Sequence, residues 1–304
     1  MKPFVLNIYK PKGMGSFDVV RHFKRILGKE FGKIGHFGTL DPFAEGLLML
    51  GLARGAKLND YVHNLMPKTY LAKGILGQFT ETGDLTVDKI QVDDSPYLKE
   101  VIATFSKDFI QEKLREEFIG EYWQAPHKYS AAKFQGKKLH QWAREGVDIK
   151  KDKKRREIYD LEVVSYNFPE LWIRYTVSSG TYIRTLFSEA AQLLGTLGVL
   201  KDLVREKIGH IDMSTSIKSQ DWPTERPWDP IPHALQVDDV LDIPKVTVND
   251  FQANLISNGV VLELEKHDDI KCSGPFCFIY NNENELLSLC GIKDNKLKIE
   301  INFS

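Results

Sequence analysis

The segment Gly35-His36-Phe37-Gly38-Thr39-Leu40-Asp41-Pro42-Phe43-Ala44-Glu45-Gly46-Leu47-Leu48 decides how this chain is read. Its glycines let backbone come close to a ligand. Pro42 disfavours the helical region for Asp41 and holds it extended. One carboxylate is thus set between flexible neighbours, next to a histidine. An isolated Leu-Asp-Pro would read as a turn at the start of a strand; the length of this string and its surroundings carry more.

Upstream, Val5–Tyr9 reads as a strand, and Lys10-Pro11-Lys12-Gly13-Met14-Gly15 as a glycine-rich turn. Ser16 is expected to cap a helix whose apolar stripe is Val19, Phe23, Ile26 and Leu27, closed by Gly28. Downstream, Leu47–Ala53 is an apolar run of strand length, Ala56–Asn64 is helix-like, Tyr70–Leu76 is strand-like and Ser106–Ile119 helical. Trp172–Val177 alternates as a half-buried strand, with Leu171, Ile173, Tyr175 and Val177 inward. A helix follows, with Ile183, Leu186, Phe187, Ala190 and Leu194 on one face. Four prolines between Trp222 and Pro232 read as a linker. Beyond it, a helix over Asp250–Ser257 and strands near 260–264, 276–280, 286–291 and 297–301 form a small, mostly β module.

The 304 residues, 42% apolar and 27% charged, are those of a globular chain and exclude disorder and coiled coil. No apolar run reaches the ~18 residues of a membrane-spanning helix, and the start is too short for a signal peptide, so a cytoplasmic, non-membrane protein is expected. Cys272, Cys277 and Cys290 have neither the spacing nor the histidines of a zinc site and read as small buried hydrophobes. The net charge of −1 hides a strong division. From Asp221 onward there are 15 acidic and 7 basic residues, whereas His127–Arg156 holds 11 lysines and arginines against 3 acids. A basic stretch interleaved with Tyr129, Phe134 and Trp142 suits a phosphate-bearing polymer, and equally a solvated loop.

The Gly35–Leu48 string resembles the signature of the TruB-type tRNA pseudouridine synthases, Gly-His…Gly-(Ser/Thr)-Leu-Asp-Pro-x-Ala-x-Gly. Further segments match that family in order. They are Lys10-Pro11-Lys12-Gly13-Met14, Lys68-Thr69-Tyr70 with Thr80-Glu81-Thr82-Gly83-Asp84, Pro126–Lys133 with Gly136-Lys137-Lys138-Leu139, and Ser179-Gly180-Thr181-Tyr182-Ile183-Arg184. The resemblance spans roughly residues 4 to 210. It implies an α+β pseudouridine-synthase fold with a mixed, mostly antiparallel central sheet flanked by helices, and a small, mostly β PUA-like C-terminal domain. The implied boundaries are 1–230 for the catalytic domain, with a thumb loop at about 124–156, and 231–304 for the second.

The implied activity is isomerisation of uridine to pseudouridine in the T arm (position 55) of tRNA by a monomer. The reaction needs no cofactor or metal, since one C–N bond breaks and one C–C bond forms between the same two rings. By resemblance Asp41 is the catalytic carboxylate, acting at the sugar as in retaining glycosidases, by a glycal route, or by addition to uracil C6. Arg184 keeps that carboxylate charged, forking two hydrogen bonds onto it. Tyr70 stacks on the target base and serves proton removal from C5. His36 steadies the RNA once the base is flipped out. Lys12, Lys128, Tyr129, Lys133, Lys137 and Lys138 contact RNA. No second carboxylate presents itself near Asp41 in sequence. The chain departs from the family pattern at Gly15, Phe37, Glu45, Ser179 (often lysine) and Val204 (often arginine). The alternatives are an RNA chaperone of the same fold that does no chemistry, and a guide-RNA-dependent relative.

Overall fold

A computed structural model describes residues 3–130, 133–147, 149, 151–267 and 269–303. The strands are β1 (Phe4–Lys10), β2 (Ile34–His36), β3 (Glu45–Leu52), β4 (Lys68–Leu76), β5 (Gly120–Gln124), β6 (Lys154–Asn167), β7 (Glu170–Val177), β8 (Gly198–Ile208), β9 (Ile211–Asp212) and β10 (Ala234–Gln236). They form one ten-stranded sheet in the order β10-β1-β3-β8-β4-β7-β6-β5, with β2 paired to β3 and β9 to β8. Every pairing is antiparallel except β3 with β8, which join through Val204↔Glu45 and Arg205↔Gly46. That junction demands glycine at 46: φ is 106°, and a Cβ there would stand 2.4 Å from the Arg205 carbonyl oxygen.

Helices α1 (Ser16–Leu27), α2 (Asn59–Leu65), α3 (Lys107–Phe118) and α4 (Ile183–Leu193) accompany the sheet. The α1 stripe is buried as its spacing predicts. Its cap is Gly15, however, not Ser16. Asp18 accepts from the Gly15 amide, and Ser16, the first helical residue, is buried with its hydroxyl turned elsewhere. Ser106 caps α3 by accepting from the Phe109 amide at 3.1 Å. The helix expected over Ala56–Asn64 begins as a 3₁₀ turn, Ala53–Leu58, before α2. The inward positions of β7 are buried as the alternation requires.

The C-terminal residues build a second, five-stranded sheet from β11 (Lys245–Thr247), β12 (Leu262–Glu263), β13 (Phe276–Tyr280), β14 (Leu286–Lys293) and β15 (Lys296–Asn302), in the order β11-β13-β14-β15-β12, with α5 (Asp250–Ser257). The proline-rich stretch is packed: Trp222 and Trp228 lie against Phe23 of α1 at 5.4 and 5.9 Å. Just beyond it, β10 pairs with β1, so the large sheet extends past residue 230. All three cysteines are free; Cys277 and Cys290 are buried opposite each other on β13 and β14. Among the described residues no helix is long and apolar enough to cross a membrane.

Candidate active site

The Asp41 loop runs from β2 to β3, and backbone contacts to two neighbours fix it. The Gly13 amide donates to the Pro42 carbonyl at 2.7 Å, and the Ser16 hydroxyl both donates to Leu40 O (2.9 Å) and accepts from Leu40 N (2.8 Å). Lys10, fully buried, donates to Pro11 O and Met14 O in the same turn. Burial pushes its pKa down to about 8.

Asp41 opens onto a cavity of about 300 Å³, lined among others by Tyr70 from β4, Arg184 from the first turn of α4, and Arg205 from β8. Its carboxylate is 37% exposed and accepts from Arg184 Nη2 at 3.0 Å. The expected two-bond fork onto Asp41 is not what forms. The same guanidinium spends Nη1 on a second carboxylate, Asp84, at 3.0 Å, and on Thr82 O at 2.7 Å. Asp84, the end of the Thr80–Asp84 loop, is buried and also accepts from the Thr86 amide at 3.1 Å. Arg184 is therefore a bridge between an open and a closed carboxylate, and that fixes its plane. A buried arginine shared by two acids is costly to leave unpaired, so the constellation holds together or fails together. For Asp41, burial raises the pKa, Arg184 lowers it, Asp84 raises it and Lys10 lowers it; the result lies above the usual aspartate value.

Tyr70 is buried with 9% of its surface open. Lys68, two residues before it, donates to Val62 O and Met66 O at 3.2 and 3.0 Å and to the Ser179 hydroxyl; burial lowers its pKa to about 7. Arg205 is buried and donates to Leu47 O (2.7 Å) and Gly38 O (3.1 Å), tying β8 to both ends of the Asp41 loop. His127 stands beside Tyr182 with ring centres 6.5 Å apart; burial, then Arg184, hold its pKa down at about 4.

The cavity thus unites Asp41, Tyr70 and Arg184. His36 lies outside its lining, half-buried on β2, with Nδ1 buried and unpartnered among the described residues. Lys12 pairs with Asp202. Lys128 lies 3.4 Å from Glu81 and 5.5 Å over the Tyr129 ring, and the Tyr129 hydroxyl donates to Glu81 at 3.1 Å. Lys137 pairs with Glu145 and lies 4.2 Å over Trp142. Lys133 is exposed and stands opposite Lys138 in a short hairpin that pairs Lys133–Phe134 with Lys137–Lys138. Ala131, Ala132, Asp148 and Lys150 of the basic stretch lie outside the described residues, as does the side chain of Lys138. Exposed pairs of this kind are worth under ~1 kcal/mol, so RNA could displace them cheaply. Sequence reasoning missed Asp84, Lys68, His63 and Arg205 as site residues. Asp84 stood in a quoted motif, but nothing local shows that its loop folds back onto residue 184. Of the departures, Phe37 is buried in an apolar cluster, and Glu45 is hydrogen-bonded by Tyr9, whose pKa burial and Glu45 push up to about 12.

A chain from the crystal structure of a Cbf5-Nop10-Gar1 complex superimposes with a TM-score of 0.70 at 22% identity, covering 99% of this chain and 85% of the other. One from an H/ACA RNP bound to a substrate RNA containing 2′-deoxyuridine gives 0.68 at 21% identity, over 99% and 85%. The architecture is the pseudouridine-synthase fold. Residues 24–183 match the TruB family pseudouridylate synthase (N terminal domain). The tRNA pseudouridine synthase B of Clostridium kluyveri is 33% identical over 97% of each chain, and that of Thermotoga maritima is 33% identical over 99% of this chain and 93% of its own. The chain belongs to the TruB family of pseudouridylate synthases, and its chemistry is the isomerisation of uridine.

Proposed function

We propose that the chain converts uridine to pseudouridine in tRNA, at position 55 of the T arm, with Asp41 as the group that meets the sugar of a flipped-out nucleotide. The observation that carries this is the partly exposed Asp41 carboxylate in the lining of a cavity, its charge supported by Arg184, with Tyr70 lining the same cavity. A carboxylate so placed can bond to, or stabilise, the anomeric carbon while the uracil turns. Asp84 is engaged with Arg184 and closed to solvent, so it positions Arg184 and is no second catalytic acid of the glycosidase kind. Tyr70 offers the face on which the base stacks. The thumb, with Lys128, Tyr129, Lys133, Lys137 and Lys138, together with Lys12 and His36, grips the RNA outside the cavity. Within this reading residues 1–230 are the catalytic domain, with β10 added to its sheet, and 231–304 a PUA-like domain.

The test is an Asp41→Asn protein incubated with T-arm RNA and with full tRNA. Pseudouridine at position 55 is expected from the unaltered chain, and a loss of at least ~10³-fold from the variant with RNA binding kept. Product formed by the variant would overturn the role of Asp41. Binding without product from the unaltered chain would mark it as an RNA chaperone.

A further inference from the structure

The turn that leads into Arg184 has beside it a positive charge that the reaction does not use. Gly180 and Thr181, in the turn before α4, line the cavity. Against that turn lies Arg156 of β6, its Nη2 atom only 3.0 Å from where a Cβ on Gly180 would stand. Arg156 is half-buried; its backbone pairs with Tyr122 in the sheet, and its guanidinium has no hydrogen-bond or ion-pair partner among the described residues. The acids around it are taken or turned away. Arg155 pairs with Glu121 at 2.6 Å, Tyr122 donates to Glu189, and Glu157 lies on the other face of the strand. His63, also in the lining, is held below its usual pKa by burial, then by Lys68 and Arg156, with Asp60 acting the other way. Asp41, which lines the cavity, is engaged by Arg184, and the acid felt at His63 is the exposed Asp60 of α2.

We propose that Arg156 binds a backbone phosphate of the RNA, on the linkage adjoining the flipped uridine, across the Ser178–Thr181 turn. This rests on the function proposed above. An unpaired guanidinium, partly desolvated and beside a glycine that leaves it uncovered, is a fitting partner for a phosphodiester. A uridine drawn into the cavity brings its two flanking phosphates to the rim, where a cation without an acid is what they require.

The experiment measures RNA binding in an Asp41→Asn background, which removes turnover from the readout. The probes are T-arm RNA and two versions with a neutral methylphosphonate on the 5′ or the 3′ side of the target uridine. Arg156→Gln should weaken binding of native RNA about tenfold and lower the slope of log Kd against log salt by about 0.7 to 0.9. Arg156→Lys should recover most of this. One of the methylphosphonates should weaken binding by the same factor, and Arg156→Gln should then cost nothing further on that RNA. Unchanged affinity in Arg156→Gln, or losses that add on both modified RNAs, would overturn the proposal. Pseudouridine formation by the unaltered chain on the same native RNA is scored separately, so failure of the catalytic reading is told apart from failure of this one.

Discussion

At Asp41 burial and a neighbouring carboxylate push against two cations, and in the proposed mechanism that balance sets the pH at which the carboxylate is available. Its pKa lies above the ordinary value, so the rate should fall on acidification with a midpoint above that of a free aspartate. Arg184→Gln removes a lowering influence and should move the midpoint up, with a rate loss of about 10²-fold or more at neutral pH. Asp84→Asn removes a raising influence and should move it down, while loosening Arg184. Single-turnover pH profiles of the two variants check this; shifts of the same sign would contradict it. His127 offers a separate test in stability. Its folded pKa, about 4, lies below the ordinary 6.5, so between those values the unfolded chain binds the extra proton. Stability should therefore drop as pH falls from 6.5 to 4, this residue contributing at most about 3 kcal/mol. Denaturant melts of the His127→Gln protein should show a shallower decline across that window. Motif strings singled out Asp41, Tyr70 and Arg184, which line one cavity, because each sits in a long pattern. Asp84, Lys68 and Arg205 act through contacts 100 or more residues away along the chain, such as Arg184 with Asp84 and Lys68 with Ser179, and no local pattern encodes such contacts.

The elements that spacing revealed are those with one buried face. The α1 stripe, the alternation of β7 and the α4 face all stand where their periodicity placed them. The long strands β6 and β8 escaped, since β6 alternates charge with a few apolar residues and β8 breaks its pattern at Lys201-Asp202, where the register against β4 shifts. The cap of α1 was misjudged for a physical reason. The Ser16 hydroxyl is used instead to clamp Leu40, next to Asp41. Ser16→Ala therefore strands a buried amide and a buried carbonyl, and should cost about 1–3 kcal/mol in a urea melt. The same change releases one tether of the Asp41 loop, so single-turnover rate should fall about tenfold or more while Tyr70 and Arg184 stay in place. Loss of stability with an unchanged rate would show that the clamp serves folding alone.

At the scale of the molecule the two sheets share a core. Phe37 and Met49 of the N-terminal sheet region lie in one apolar cluster with Val237, Phe278, Leu289 and Phe303. Removing 240–304 would bare that cluster, so truncation tests folding before it tests RNA binding, and substitutions in the full chain are the cleaner probe. The C-terminal residues carry a net charge of −8 from Asp221 onward, a poor surface for phosphates. Their one basic concentration is the β14–β15 hairpin, where Lys293 stands opposite Lys296 with Lys298 further along β15, all exposed and with Asp294 in the turn between. Three lysines amid an acidic field add little attraction at physiological ionic strength, where screening acts within ~8 Å. The stretch His127–Arg156, by contrast, concentrates 11 lysines and arginines in 30 residues, and its Ser130 lines the cavity. RNA affinity should therefore reside in the catalytic half. Replacing Lys293, Lys296 and Lys298 together by glutamine should weaken T-arm RNA binding by less than threefold. Replacing Lys128, Lys133 and Lys137 in the same way should weaken it by well over tenfold and flatten the salt dependence. A loss beyond threefold from the hairpin substitutions would make the C-terminal sheet a principal RNA surface, in spite of its charge.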